Sequence, residues 1–195
     1  MNLPYYKTLR GRGEAEVVIK RSQFIGYAGP ARTEEEALSF IEEIRQCHRQ
    51  ATHNCYAYVA GERDEFQKAS DDGEPSGTAG KPILEVIKNR GLKFAVVVVT
   101  RYFGGVLLGA GGLVRAYADA AAAGIAAAGE VYRVLHAPVR VTVEYTLFGT
   151  LEHELRRRGV RIGGTEYSDK VTLRCLPLYG EREAFAAWIA ELTSG

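Results

Sequence analysis

Apolar and polar positions change period several times along the chain, and each change predicts an element. Glu16-Val17-Val18-Ile19-Lys20 and Gln23-Phe24-Ile25-Gly26-Tyr27-Ala28 are short β-branched and aromatic runs, which predict two strands joined as a hairpin or bent pair. Thr33 followed by Glu34, Glu35 and Glu36 reads as a capping box with acid in the first turn. Ala37, Phe40, Ile41 and Ile44 then keep the spacing of one helical face, so residues 33–48 are expected to form an amphipathic helix. Asn54 to Ala60 predicts a strand, Gly61-Glu62-Arg63-Asp64 a turn, and Glu65 to Ser70 an edge strand pairing back. A polar loop from Asp71 to Gly80 leads to a helix over Pro82–Asn89, with Pro82 tolerated in the first turn and Gly91 as its stop. Lys93 to Thr100 holds Val96 to Val99 unbroken, the pattern of a strand buried on both faces. A Gly-rich loop follows, then a long alanine-dense helix over 110–128. Leu113, Tyr117, Ala121 and Ile125 recur there every fourth residue, and the alanines would let it lie close to a sheet.

The last third reads differently. Val139 to Tyr145 alternates as a strand, Leu147 to Arg158 is a helix ending in three arginines, Arg161 to Tyr167 and Val171 to Leu176 are strands, and Glu181 to Leu192 is a helix. This βαββα order is one strand short of a ferredoxin-like unit, so a three-stranded second sheet is expected. His136-Ala137-Pro138 marks the change of pattern, because Pro138 cannot continue what precedes it. The expected fold class is α+β: a two-layer α/β domain over 1–136 and a small ferredoxin-like domain over 137–195.

A length of 195 residues suits two such domains. Charge changes the picture more than composition does. Lys plus Arg total 25 against 24 Asp plus Glu, a net charge of +1, so any basic binding site must be a local patch. Cys47, Cys55 and Cys175 form no Cys-x-x-Cys, which suits a reducing compartment. The start, Met1 to Lys7, has no apolar signal core, and the longest apolar runs fall short of the ~18 residues a membrane span requires. The expectation is a soluble cytoplasmic protein with no membrane partner.

Two loops carry the candidate chemistry. In Asp71-Asp72-Gly73-Glu74-Pro75-Ser76-Gly77-Thr78-Ala79-Gly80-Lys81 three carboxylates fall within four residues. They could hold Mg²⁺, though the spacing is not that of an EF-hand, and Ser76 or Thr78 could cap the following helix. The plainer reading is a solvated loop ending in a cap. In the second loop, Thr100 to Arg115, glycines at 104, 105, 109, 111 and 112 lie between Arg101 and Arg115. Backbone N–H groups at such a helix start can point at an anion, and flanking arginines can clamp phosphate. The sequence matches neither a Walker loop nor a dinucleotide fingerprint, and glycines serving only tight turning and packing are the competing explanation. Cys47-His48 and His53-x-Cys55 suggest zinc weakly, since only His53 and Cys55 share a strand face. No catalytic triad is readable.

At these loops the chain resembles the IMPACT family, specifically its bacterial two-domain YigZ-type members. The resemblance rests on Lys20-Arg21-Ser22-Gln23-Phe24, Ala51-Thr52-His53-Asn54-Cys55, Asp71 to Gly80, and Arg101-Tyr102-Phe103-Gly104-Gly105-Val106-Leu107-Leu108-Gly109. It implies that the first domain has the fold of the second domain of ribosomal protein S-five, and the second that of the ferredoxin-like C-terminal domain of elongation factor G. Eukaryotic IMPACT proteins are linked to translational control, and both domain types recur in ribosomal proteins and translation factors. The implied function is therefore a non-enzymatic translation-associated regulator that binds RNA or a ribosomal or translation-factor surface. The alternative is a nucleotide- or phosphate-binding enzyme with the GHMP-kinase-like version of the first fold, its phosphates held near Gly109 to Gly112. The expected ligand groove combines Arg101, Arg115, Gly104, Gly105, Gly109, Gly111, Gly112 and Lys81 with Asp72, Glu74, Ser76 and Thr78. Lys20 and Arg21 would add charge, and Tyr102 or Phe103 would stack on a base.

Overall fold

A computed structural model of the chain describes residues 5–193, and these fall into two compact units that divide between Arg133 and Val134. The first unit is built on a five-stranded antiparallel sheet. Its strands are β2 (Gly13–Ile19), β3 (Ser22–Pro30), β4 (His53–Ala60), β5 (Phe66–Ser70) and β6 (Ala95–Tyr102), in the order β2-β3-β6-β4-β5. The valine run lies in β6, in the middle of the sheet between β3 and β4. Val97 and Val99 point to one face and Val96 and Val98 to the other, and all four are fully buried, which is why no polar alternation is seen there.

Helix α1 (Glu34–Cys47) covers one face of the sheet with Ala37, Phe40, Ile41 and Ile44. Its capping box is partly rewired. Thr33 Oγ1 accepts the Glu36 N–H at 3.2 Å, but the Glu36 carboxylate returns to the Arg32 N–H at 2.6 Å, one residue before the cap. Helices α2 (Gly80–Asn89) and α3 (Ala110–Ala128) cover the opposite face. The α+β class read from the sequence is therefore what the chain adopts, with α1 adding a layer behind the sheet.

Helix α3 sits unusually close to β3. A Cβ on Gly26 would stand 2.0 Å from the Ala120 carbonyl oxygen, and one on Gly124 would stand 2.6 Å from the Gly26 carbonyl oxygen. Glycine is needed at both positions so that strand and helix backbones can touch. Two short strands absent from the sequence reading, β1 (Tyr5–Leu9) and β7 (Glu130–Val134), pair as a separate two-stranded sheet. Glu130 of β7 pairs with Lys7 of β1 and with Arg90 at the end of α2, and the Lys7 hydrogen bond, outweighing the effect of burial, keeps its carboxyl below the usual range.

The second unit contains β8 (Val139–Val143), α4 (Tyr145–Arg157), β9 (Arg161–Tyr167), β10 (Val171–Leu176) and α5 (Arg182–Thr193). The strands form an antiparallel sheet in the order β8-β10-β9, the 1-3-2 core of a ferredoxin-like fold. Val141, Val143, Leu173 and Cys175 meet Leu151, Leu155 and Phe185 of the two helices in its core. All three cysteines are free: Cys47 is exposed, while Cys55 and Cys175 are buried, and burial pushes the Cys175 thiol up to about 11. Among the described residues no helix is long and apolar enough to cross a membrane.

Candidate functional site

The polar loop between β5 and α2 is organised from within by its first carboxylate. Asp71 Oδ1 accepts the N–H groups of Ala79 at 3.0 Å and Gly80 at 2.8 Å, and Oδ2 accepts that of Gly77 at 2.8 Å. Burial alone would raise the Asp71 pKa, but the bonds from Gly77, Gly80 and Ala79 together outweigh it and hold the carboxyl below its ordinary value. Asp71 thus caps α2 from eight residues upstream. The residues expected to cap it do not: Thr78 Oγ1 donates to the Pro75 carbonyl at 2.6 Å, and Ser76 is exposed.

The other two carboxylates turn away from Asp71 and from each other. Asp72, at φ +44°, accepts the Asn54 N–H at 2.7 Å and pairs with Arg45 at 3.0 Å. Its carbonyl takes a hydrogen bond of 2.7 Å from Nδ1 of His53, since a carbonyl can only accept. Glu74 enters the core and pairs with Arg101 at 2.5 Å, accepts the Tyr117 hydroxyl at 2.8 Å, and lies 3.9 Å from His53 Nε2. Among the described residues no three His, Cys, Asp or Glu side chains converge to hold a metal.

Arg101 is consequently an internal residue. Only 5% exposed, it lies against the Phe24 and Phe103 rings, and its Nε has no hydrogen-bond partner. Its charge is spent on Glu74, so it positions the loop from below and does not reach a ligand as an open clamp. Tyr102 is also tied inward, its hydroxyl 2.8 Å from His48 Nδ1, while the Tyr27 hydroxyl lies 2.7 Å from Nε2. The two loops meet through the buried Glu74–Arg101 pair, which Tyr117 of α3 joins through Glu74, and not across an open groove at that point. Lys81 stays exposed on α2 beside Glu85.

What reaches the surface is a basic patch at the start of α3. The β2–β3 hairpin turns through Lys20 (φ +47°) and Arg21 (φ +67°), between the paired residues Ile19 and Ser22. Two left-handed residues in a two-residue hairpin call for Asn-Gly, and each non-glycine residue there costs about 1–2 kcal/mol. The turn is held by Gly104, whose missing Cβ would stand 2.0 Å from the Arg21 carbonyl oxygen and whose N–H reaches Ser22 Oγ at 3.2 Å. Gly105 (φ +82°) and Gly109 (φ +74°) have open space around them but sit in the left-handed region, so the turn of the chain requires them; Gly111 has neither a positive φ nor a close neighbour. Gly109 begins α3, which has no side-chain cap and no acid in its first turn. Beside it lies a cleft of about 300 Å³ whose lining includes Lys20, Leu108, Gly112, Arg115 and Asp119. Phe103, Val106 and Leu107 are exposed on the preceding loop, Leu107 at 82%. The sequence predicts the hairpin and marks Lys20-Arg21 as part of the family resemblance and as added charge; the left-handed strain of the turn carries no sequence signal.

An α+β sheet domain carrying an uncapped helix start and a basic hairpin tip, followed by a ferredoxin-like unit, defines the class of protein. The Impact N-terminal domain family matches residues 20–125, and a domain of unknown function, DUF1949, matches residues 141–195. The chain belongs to the IMPACT family. It is 47% identical over 190 residues to the IMPACT family member YvyE of Bacillus subtilis, covering 97% of this chain and 88% of that protein. To the family member YigZ of Escherichia coli it is 48% identical over 101 residues, about half of each chain at 51% and 50%. Among solved structures, the crystal structure of a hypothetical protein, 30% identical, aligns with a TM-score of 0.67 over all of this chain (100%) and 95% of that one.

Proposed function

We propose that this protein is a translation-associated regulator whose first unit binds RNA, free or on a ribosomal surface, through the Lys20-Arg21 turn, the 103–109 loop and the start of α3. The observation that carries the reading is the strained turn. Two basic residues occupy backbone positions suited to Asn-Gly, next to unsatisfied helix-start N–H groups and Arg115, and strain of this kind gathers at functional sites. Membership of a family whose eukaryotic members are linked to translational control supports the translational half of the proposal. Exposed Phe103 is the aromatic positioned to stack on an unpaired base. With a net charge of +1, affinity rests on a few phosphate contacts and falls moderately with salt.

The test exploits the strain. Replacing Lys20 by Asn and Arg21 by Gly together should raise thermal stability and weaken co-sedimentation with ribosomes. Undiminished co-sedimentation would overturn the proposal. The second reading, a nucleotide- or phosphate-binding enzyme, is favoured by Asp119, a carboxylate lining the same cleft. Saturable ATP binding by the parent protein would select that reading instead.

A further inference from the structure

The sheet of the second unit is covered by helices on one face only. On the open face, Arg140 of β8 and Arg174 of β10 are direct cross-strand partners, and Arg174 is opposite Gly164 of β9. The next row is Thr142, Thr172 and Glu166, with the two threonine hydroxyls 3.0 Å apart. Like charges placed directly opposite on neighbouring strands destabilise a sheet. Both arginines are exposed, and among the described residues neither has an ion pair or hydrogen bond that would offset the repulsion.

The third strand makes room beside them. The β9–β10 register shifts between Arg174 and Cys175, leaving Gly163 as an extra residue in β9. A Cβ at Gly164 would meet nothing within 4 Å. The result is a groove of about 310 Å³ lined by Arg140, Arg174, Gly163, Gly164, Thr172 and Glu166, among others. No aromatic side chain lines it, so it is suited to recognising charge and oxygen geometry rather than a base.

We propose that this groove binds a phosphate group held between Arg140 and Arg174. Each guanidinium offers a fork of N–H donors matching phosphate oxygens, and one anion between the two converts their repulsion into shared attraction. The Thr172 hydroxyl, one row away, is a further donor. Glu166 closes the side beyond Thr172 with negative charge, which disfavours a second phosphate there. The site belongs to the second unit alone and does not depend on the reading of the first.

The test is a ¹⁵N NMR titration of the full chain with sodium pyrophosphate and, separately, with a short single-stranded oligouridylate. Saturable shifts centred on Arg140, Gly163, Gly164 and Thr172 are expected with at least one probe. Substituting Arg140→Gln and Arg174→Gln together should weaken that binding roughly tenfold or more without lowering the melting temperature. Gly164→Glu, which places a carboxylate in the groove and keeps both arginines, should have the same effect on binding and decides the matter if the double variant misfolds. Tighter binding of oligouridylate at equal phosphate concentration identifies a nucleic-acid backbone; tighter binding of pyrophosphate identifies a small phosphorylated compound. Absence of shifts with both probes, or unchanged affinity in the variants, would overturn the site. Substitution of Lys20 and Arg21 should leave these shifts intact, so this site and the proposed function can fail separately.

Discussion

Asp71 shows how much one carboxylate can organise. Its two oxygens take three backbone N–H groups, which closes the loop before α2 and supplies the cap that Ala79 lacks. In Asp71→Asn one oxygen becomes an amide that faces the Gly77 N–H, donor against donor. We expect a loss of about 2 kcal/mol at neutral pH, given the strength of hydrogen bonds to a charged acceptor. The native pKa of Asp71 is depressed below its ordinary 3.8, so its contribution is present above that pH and disappears as pH falls through the native value. The stability gap between parent and variant should therefore be wide in urea melts at neutral pH, begin to shrink near 3.8 and close as pH falls further through the lower native value. The run of acids was legible in the sequence, but their destinations were not. Asp71 serves backbone N–H groups several residues on, Asp72 an arginine on α1, and Glu74 an arginine on β6. Arg101 looked like a free clamp because its partner lies 27 residues earlier in sequence and meets it only in the folded chain.

Periodicity located most elements to within a few residues because burial enforces it. The α1 face, the double-sided valine strand and the alanine-rich α3 all follow the pattern of buried positions. Strands β1 and β7 escaped because each is short and the charged residues that fasten them, Lys7, Arg90 and Glu130, carry no periodic signal. The closeness of α3 to the sheet was anticipated from its alanines, but its tightest contacts are made by Gly26 and Gly124. Gly26→Ala would drive a methyl group into the Ala120 carbonyl and push the helix off the strand. A loss of about 3 kcal/mol, the upper part of the usual range for overpacking, is expected from denaturant melts. Ala→Gly at exposed Ala127, on the same helix, should cost only about 1 kcal/mol, which separates the contact from helix propensity.

The described residues form three hydrophobic clusters, one on each face of the first unit's sheet and one inside the second unit, so no cluster spans the division. Arg133 is exposed at the end of the first unit, so brief trypsin digestion should release a stable fragment ending there. A first cut inside Tyr6–Arg133 would count against this division. The sequence divided the chain between 136 and 137, where the pattern of residues alters; the contacts place the change a few residues earlier, because Leu135, His136 and Ala137 bond to the 177–179 segment of the second unit. Backbone contact between α3 and β3 also bears on recognition. With no side chain between them, sliding or rolling the helix would break the backbone contacts at Gly26 and Gly124, so on the proposed function the cleft at its start is shaped before the RNA arrives. The entropy of ordering that seat is met during folding, so association need restrict only the ligand, and selectivity can come from shape as well as charge.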